Sequence, residues 1–189
     1  MAEAIATTDS GALVAFSDTA LTTNVKVPGL WLVNAATDGD RITTLLREAW
    51  RVNEIWDDEA RANPGLWFMQ NYANPANLLF DVLNGKGMVA FIRTIPGWRA
   101  QVYAAAWSRA AMRRDDLFVA ACKLAMLTNR LLVIDSFVKL DNKLSQRATV
   151  RSGFVNRGII RDAQCYNGAP RSMYWNELSR ADLGLGDDD

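Results

Sequence analysis

Asn84-Gly85-Lys86-Gly87 and Pro96-Gly97 punctuate the middle of the chain so closely that the segments beside them have little conformational freedom. Glycine and asparagine accept the positive φ of tight turns, and proline presets the first corner of one. The run between the two signals, Met88–Ile95 (MVAFIRTI), and the run after them, Arg99–Ser108 (RAQVYAAAWS), are apolar and rich in β-prone residues. Two such runs joined by Pro96-Gly97 predict an antiparallel hairpin. A sheet has to be built around it, and 189 residues are enough for one domain.

The flanking sequence supplies that sheet and its cover. Gly29–Thr37 reads as a short strand, and Asp38-Gly39-Asp40 opens a helix with Ile42, Leu45, Leu46 and Ala49 at helical spacing and Asp38 as its N-cap. A second helical region, broken by Pro64 and Pro75, is expected over roughly 66–83. Asp115-Asp116 starts a helix whose broad apolar face carries Leu117, Phe118, Ala121, Cys122, Leu124 and Met126. Arg130–Lys139 reads as a strand, Asn142–Arg151 as a short helix, and Phe154–Arg161 and Ser172–Leu178 as strands around a loop holding Asn167-Gly168. The order β-α-α-β-β-α-β-α-β-β predicts an α/β chain with a central mixed sheet and helices on both faces.

Outside this body, residues 1–28 show no sustained period and read as an extended N-terminal arm. Residues 29–183 form the domain, and 184–189, Gly-Leu-Gly-Asp-Asp-Asp, read as a flexible acidic tail.

Composition narrows the chemistry. Histidine is absent, which excludes Ser-His and Cys-His nucleophile pairs, histidine general bases and histidine-ligated metals. The two cysteines, Cys122 and Cys165, have no metal spacing and read as small buried hydrophobes. No metal is therefore expected. Lysine plus arginine equals aspartate plus glutamate at 21 each, so no global charge points to nucleic acid. No apolar run is long enough for a membrane span, and the N-terminus lacks the regions of a secretory signal.

The stretch from Leu132 to Leu183 carries a further pattern. A strand is followed by Asn142, a short helix, Gly153-Phe154, Gly158, the Asn167-Gly168 turn and a closing strand that ends near Arg180-Ala181-Asp182. With the element order of residues 29–183, this resembles the GNAT N-acetyltransferase superfamily. The resemblance implies a GNAT-like acyltransferase fold. Two parallel strands would splay apart to take the pantetheine arm of acetyl-CoA, and a Gln/Arg-x-x-Gly-x-Gly/Ala loop would cradle its pyrophosphate at a helix N-terminus, where bare backbone N–H groups and the helix dipole favour an anion.

On this chain the implied loop is Arg109-Ala110-Ala111-Met112-Arg113-Arg114. Arg109 fits the pattern, but Met112 and Arg114 stand where small residues belong, and Asp115 and Asp116 follow as carboxylates that repel a phosphate. Arg93, Arg99, Arg109, Arg113 and Arg114 fall in a stretch without acids, so a cofactor site rebuilt from Arg109, Arg113 and Arg114 is a candidate, as is a plain cationic edge. By the resemblance, Asn142 and Ser145 stand where pantetheine or acceptor contacts could be made, although an asparagine there also serves as a helix cap. The family's acid tyrosine maps to Thr149, whose hydroxyl pKa is far too high for that task. Asp135 interrupts an apolar strand and is open to three roles: a base, a partner of an arginine, or the solvent-facing member of an alternation. Glu54, Asp57 and Asp58 are the other acids considered for a base. Trp50, Trp56 and Trp67 fit either an acceptor pocket or helix packing on the sheet.

Two functions follow from the resemblance. The favoured expectation is a GNAT-fold protein with an eroded acetyl-CoA site and no cofactor, serving as a structural or binding subunit of an assembly such as a bacteriophage virion, with protein partners in several copies met through the arm. The alternative is an acetyl-CoA-dependent N-acetyltransferase. The expected location is the cytoplasm or a virion assembled there.

Overall fold

The expected hairpin sits at the middle of a seven-stranded sheet. The computed structural model describes residues 4–7, 13–16, 27–34, 37–52, 56–63, 66–67, 70–71 and 74–186. Within these, β5 (Gly87–Ile95) and β6 (Arg99–Ala106) pair antiparallel, with a bulge between Ile92 and Ile95. Gly87 lies so close to β6 that a Cβ would stand 2.9 Å from the Ala105 carbonyl oxygen, which is why glycine opens this strand. The outer strands on one side are β3 (Leu30–Leu32) and β4 (Leu78–Val82). On the other side lie β7 (Val133–Lys139), β9 (Ala169–Ser179) and β8 (Val155–Tyr166). The mixed sheet with helices on both faces is the architecture expected.

Three local expectations need correction. β4 falls inside the segment read as helical to residue 83. Its five residues LLFDV are all buried, and a short run buried on both faces carries no period that separates strand from helix. Asn167-Gly168 is a two-residue turn rather than a loop. Both residues have positive φ, 53° and 73°, which is the type I′ geometry that closes a twisted hairpin, so β8 and β9 run longer than expected. The tail expectation fails for residues 184–186. Leu183 and Leu185 pack on the core, and buried Arg180 donates from Nε and Nη2 to the Gly186 carbonyl at 3.1 and 2.9 Å. Residues 187–189 lie outside the described set, as does most of the arm. Within the arm, β1 (Ala4–Thr7) pairs antiparallel with β2 (Leu13–Phe16).

The sheet carries a separate core on each face because successive strand residues point in opposite directions. On one face Val89 and Phe91 of β5, Val102 of β6 and Ile134 of β7 pack under α3 (Asp115–Asn129), which buries Leu117, Ala121, Cys122, Leu124, Ala125 and Met126. On the other, Met88, Ala90 and Ala105 pack under α1 (Gly39–Arg51), which buries Ile42, Leu45 and Ala49. Asp38 precedes α1 but does not cap it; its carboxylate accepts from the Asn34 N–H at 2.9 Å. Trp56 meets Trp50 at a tilt with ring centroids 5.2 Å apart and Trp67 edge-on at 4.8 Å, and donates to the Ala49 carbonyl. The three tryptophans thus pack α1 on the sheet. The short helix α2 (Asp58–Ala62) docks on the β8–β9 turn, where Asp58 accepts from the N–H groups of Asn167 and Gly168, both at 2.7 Å. The last helix, α4 (Lys143–Arg151), follows β7.

Candidate functional site

The parallel pair β6 and β7 is in register from Arg99 opposite Val133 to Val102 opposite Ser136. There the pairing stops, while β6 continues to Ala106 and β7 to Lys139. The strands diverge at their C-terminal ends, which is the splay the resemblance implies. The loop to α3 leaves this open end of the pair, and so does α4, so both helices flank the gap.

The donors of that loop are turned inward. Residues Ala111–Arg113 form a single 3₁₀ turn. The N–H of Ala111 goes to Ser108 Oγ at 3.1 Å, and those of Met112, Arg113 and Arg114 go to the carbonyls of Ser108, Ala110 and Ala111 at 3.0, 3.4 and 3.1 Å. Both carboxylates that open α3 are held by arginines. Arg114 makes a bidentate contact to Asp116, Nε at 2.7 Å and Nη2 at 2.6 Å. That contact, followed by burial against it and the charge of Arg114, holds Asp116 below the usual aspartate range, and it raises Arg114. Asp115 accepts from Arg151 of α4 at 2.7 and 3.3 Å, tying the two flanking helices together. A pyrophosphate at this helix N-terminus would meet two carboxylates, and the N–H groups of Ala111 to Arg114 are already engaged.

The other candidates behave as parts of α4. Asn142 is its N-cap, with Oδ1 accepting from the Ser145 N–H at 3.0 Å. Buried Thr149 donates its hydroxyl to the Ser145 carbonyl at 2.9 Å, so it is already engaged with the helix backbone. Arg109 and Arg113 are exposed beside the loop.

Asp135 is not among these residues. It lies on the opposite face of the sheet, buried, at the N-terminal end of the parallel pair. Of its three open roles the structure selects the arginine partner. Arg99 Nη2 stands 3.0 Å from Oδ1 and 2.8 Å from Oδ2, and Trp175 Nε1 donates to Oδ1 at 2.8 Å. The other acids considered are also engaged. Asp57 caps α2 through the Ala60 N–H, and the Gly168 N–H foremost holds Asp58 below its usual range. Glu54 lies outside the described residues. Of the cysteines only Cys122 is buried; Cys165 is exposed, and its hydrogen bond to Asp58 raises its pKa. Among the described residues no group of His, Cys, Asp and Glu side chains is arranged to hold a metal. No described helix is long and apolar enough to cross a membrane.

Around Asp135 the structure opens a cleft of about 390 Å³, lined on its charged side by Arg93 and Arg99 and on its apolar side by Phe137, Ile160 and Trp175. Arg93 and Arg99 belong to the arginine-rich stretch seen in the sequence, but the fold sends them to one end of β6 and Arg109, Arg113 and Arg114 to the other. Phe137, Ile160 and Trp175 were missed. The polar alternation Arg99-x-Gln101-x-Tyr103 marks this face of β6 in the sequence, but nothing local says which strands lie beside it.

No family model matches the chain, and no curated protein matches it in sequence. Solved structures match it in fold. The ribosomal-protein-S5-alanine acetyltransferase of Vibrio fischeri superposes with a TM-score of 0.63 at 13% identity, over 84% of this chain and 97% of that one. RimJ of Mycobacterium smegmatis, solved with CoA-disulfide, gives 0.62 at 11% identity over 84% of each chain. Spermidine N-acetyltransferase of Vibrio cholerae, solved with CoA and spermine, gives 0.62 at 15% identity over 82% of this chain and 96% of that one. At these identities the likeness is one of fold.

Proposed function

We propose that this chain, which has the GNAT acetyltransferase fold, is a divergent member that binds partners and does not transfer acetyl groups. The observation that carries this reading is the occupation of the α3 N-terminus by the chain's own Asp115 and Asp116, paired to Arg151 and Arg114. Phosphate recognition at a helix end depends on open N–H groups and a local positive charge. Here carboxylates already complement the dipole. Thr149 in place of an acid tyrosine supports the same reading, since its hydroxyl is engaged with the helix backbone. The role in an assembly, a bacteriophage virion being the concrete case, rests on this reading together with the arm at residues 1–28. It is tested by light scattering of the full chain, where a multiple of the monomer mass supports it and a monomer at all concentrations removes it.

The acetyltransferase reading has one observation in its favour, the divergence of β6 and β7 beyond Val102 and Ser136. Calorimetric titration with acetyl-CoA separates the two. The proposal expects no saturable heat at millimolar cofactor. A Kd below about 100 μM, near 5.5 kcal/mol of affinity, overturns it.

A further inference from the structure

We propose that the cleft between Arg93, Arg99 and Trp175 binds a small molecule that carries a carboxylate on an apolar body.

The floor defines the body. Phe137, Trp175 and Ile160 present apolar surface in a concavity, and Ile160 remains 39% exposed. Ile95, at 48% exposure, extends that surface to the rim. Concave apolar surface with a few convergent polar groups is the usual form of a small-molecule site.

The charged rim side chains, with the carboxylate behind them, define the head group. Two guanidinium groups stand over one carboxylate, Asp135, which is itself buried. Asp135 already accepts from Arg99 and Trp175, so it offsets one arginine and has little left to offer an amine. Arg93 is exposed, and the contact it makes on this rim is with the neutral amide of Gln101, at 3.3 Å. It sits on the β5 bulge with φ at +51°, a conformation rare for a side-chain-bearing residue. Arg99 reaches Asp135 through a single nitrogen, Nη2, and its buried Nε has no acceptor. Its side chain stays 32% exposed, and its guanidinium carbon lies over the Trp98 ring, 5.2 Å from the centroid. The rim is therefore cationic by one charge, with guanidinium donors not saturated by acids. A carboxylate matches that fork geometry, and an ammonium group would face two like charges.

This inference does not rest on the reading of the coenzyme A loop, because the cleft lies on the other face of the sheet. The test uses 4-phenylbutyrate, its neutral amide 4-phenylbutanamide and the cation 4-phenylbutylamine, each titrated into the full-length chain and followed by the indole N–H signal of Trp175. The expected result is saturable movement of that signal by 4-phenylbutyrate, with the amide at least about tenfold weaker and no saturation by the amine. The variant R93Q, at an exposed position, is expected to melt as the parent does and to weaken the carboxylate about fivefold or more. A second exposed variant, I160E, places a negative charge on the floor and is expected to abolish binding. Equal affinity for the three probes, unchanged affinity in both variants, or no saturation by the carboxylate up to about 10 mM would each overturn the proposal.

Discussion

At the C-terminal end of β6, Arg114 gives both arms of its guanidinium to Asp116, and Arg151 does the same for Asp115. At the N-terminal end of the same strand, Arg93 faces the neutral Gln101 and Arg99 shares one carboxylate with Trp175. The two ends are about 25 Å apart, for eight residues at about 3.3 Å each. At the first end both carboxylates are matched by guanidinium groups, with Arg109 and Arg113 exposed next to them; at the second, two guanidinium groups share one buried carboxylate beside apolar side chains. An arginine-rich segment thus says little about anion binding until the carboxylates around each guanidinium are known. In this chain the end that family likeness marks for phosphate is the one filled by its own acids.

The contrast can be broken first through stability. Arg99→Ala leaves Asp135 buried beside Trp175 alone and is expected to cost about 2–4 kcal/mol in urea denaturation, below the upper range for buried pairs because Arg99 is one-third exposed. The double variant Arg99→Ala with Asp135→Asn is expected to regain about half of that loss. Equal stability of the single variant and the parent would show that the pair is a surface contact like the others.

The proposed barrier at the α3 N-terminus can be removed. Asp115→Asn with Asp116→Asn removes two negative charges from the α3 N-terminus and is expected to raise affinity for coenzyme A about tenfold or more over the parent, read by calorimetry at low salt. No gain would place the barrier in the loop backbone rather than in the acids.

Arg114→Ala sharpens the comparison from the other side. Its pair with Asp116 is largely solvent-exposed, so the expected loss is under about 1 kcal/mol. A loss as large as that of Arg99→Ala would contradict the division into an exposed and a buried pair.

The smallest effect is a dependence on pH. Asp58 and Asp116 have folded-state pKa values below their ordinary 3.8. Their contribution is complete above the unfolded value and is lost as pH falls through the folded one, so stability drops on acidification below about pH 4. Asp58→Asn is expected to flatten that drop, seen as a smaller shift in melting temperature between neutral and acidic buffer.

Much of the fold could be read from turn chemistry. The Pro96-Gly97 corner and the Asn84–Gly87 signal place β5 and β6, and Asp115-Asp116 marks the start of α3. β4 escaped because LLFDV is too short and too uniformly buried to show a period. At the splay, the loss of small residues at 112 and 114 was visible in the chain, but the pairing of Arg114 with Asp116 and of Arg151 with Asp115 needed side-chain geometry. Asp135 carried three possible roles because its deciding partners, Arg99 and Trp175, lie 36 and 40 residues away in sequence. The cleft is harder still, since it exists only where β5, β6, β7, β9 and β8 lie side by side.

The most direct measurement follows the backbone amide signals of residues 109–118 during addition of coenzyme A. The account predicts that Met112, Arg114, Asp116 and Leu117 stay in place up to about 1 mM, where a bound diphosphate would correspond to at least about 4 kcal/mol of affinity. Saturable movement of these four amides at micromolar cofactor would contradict it.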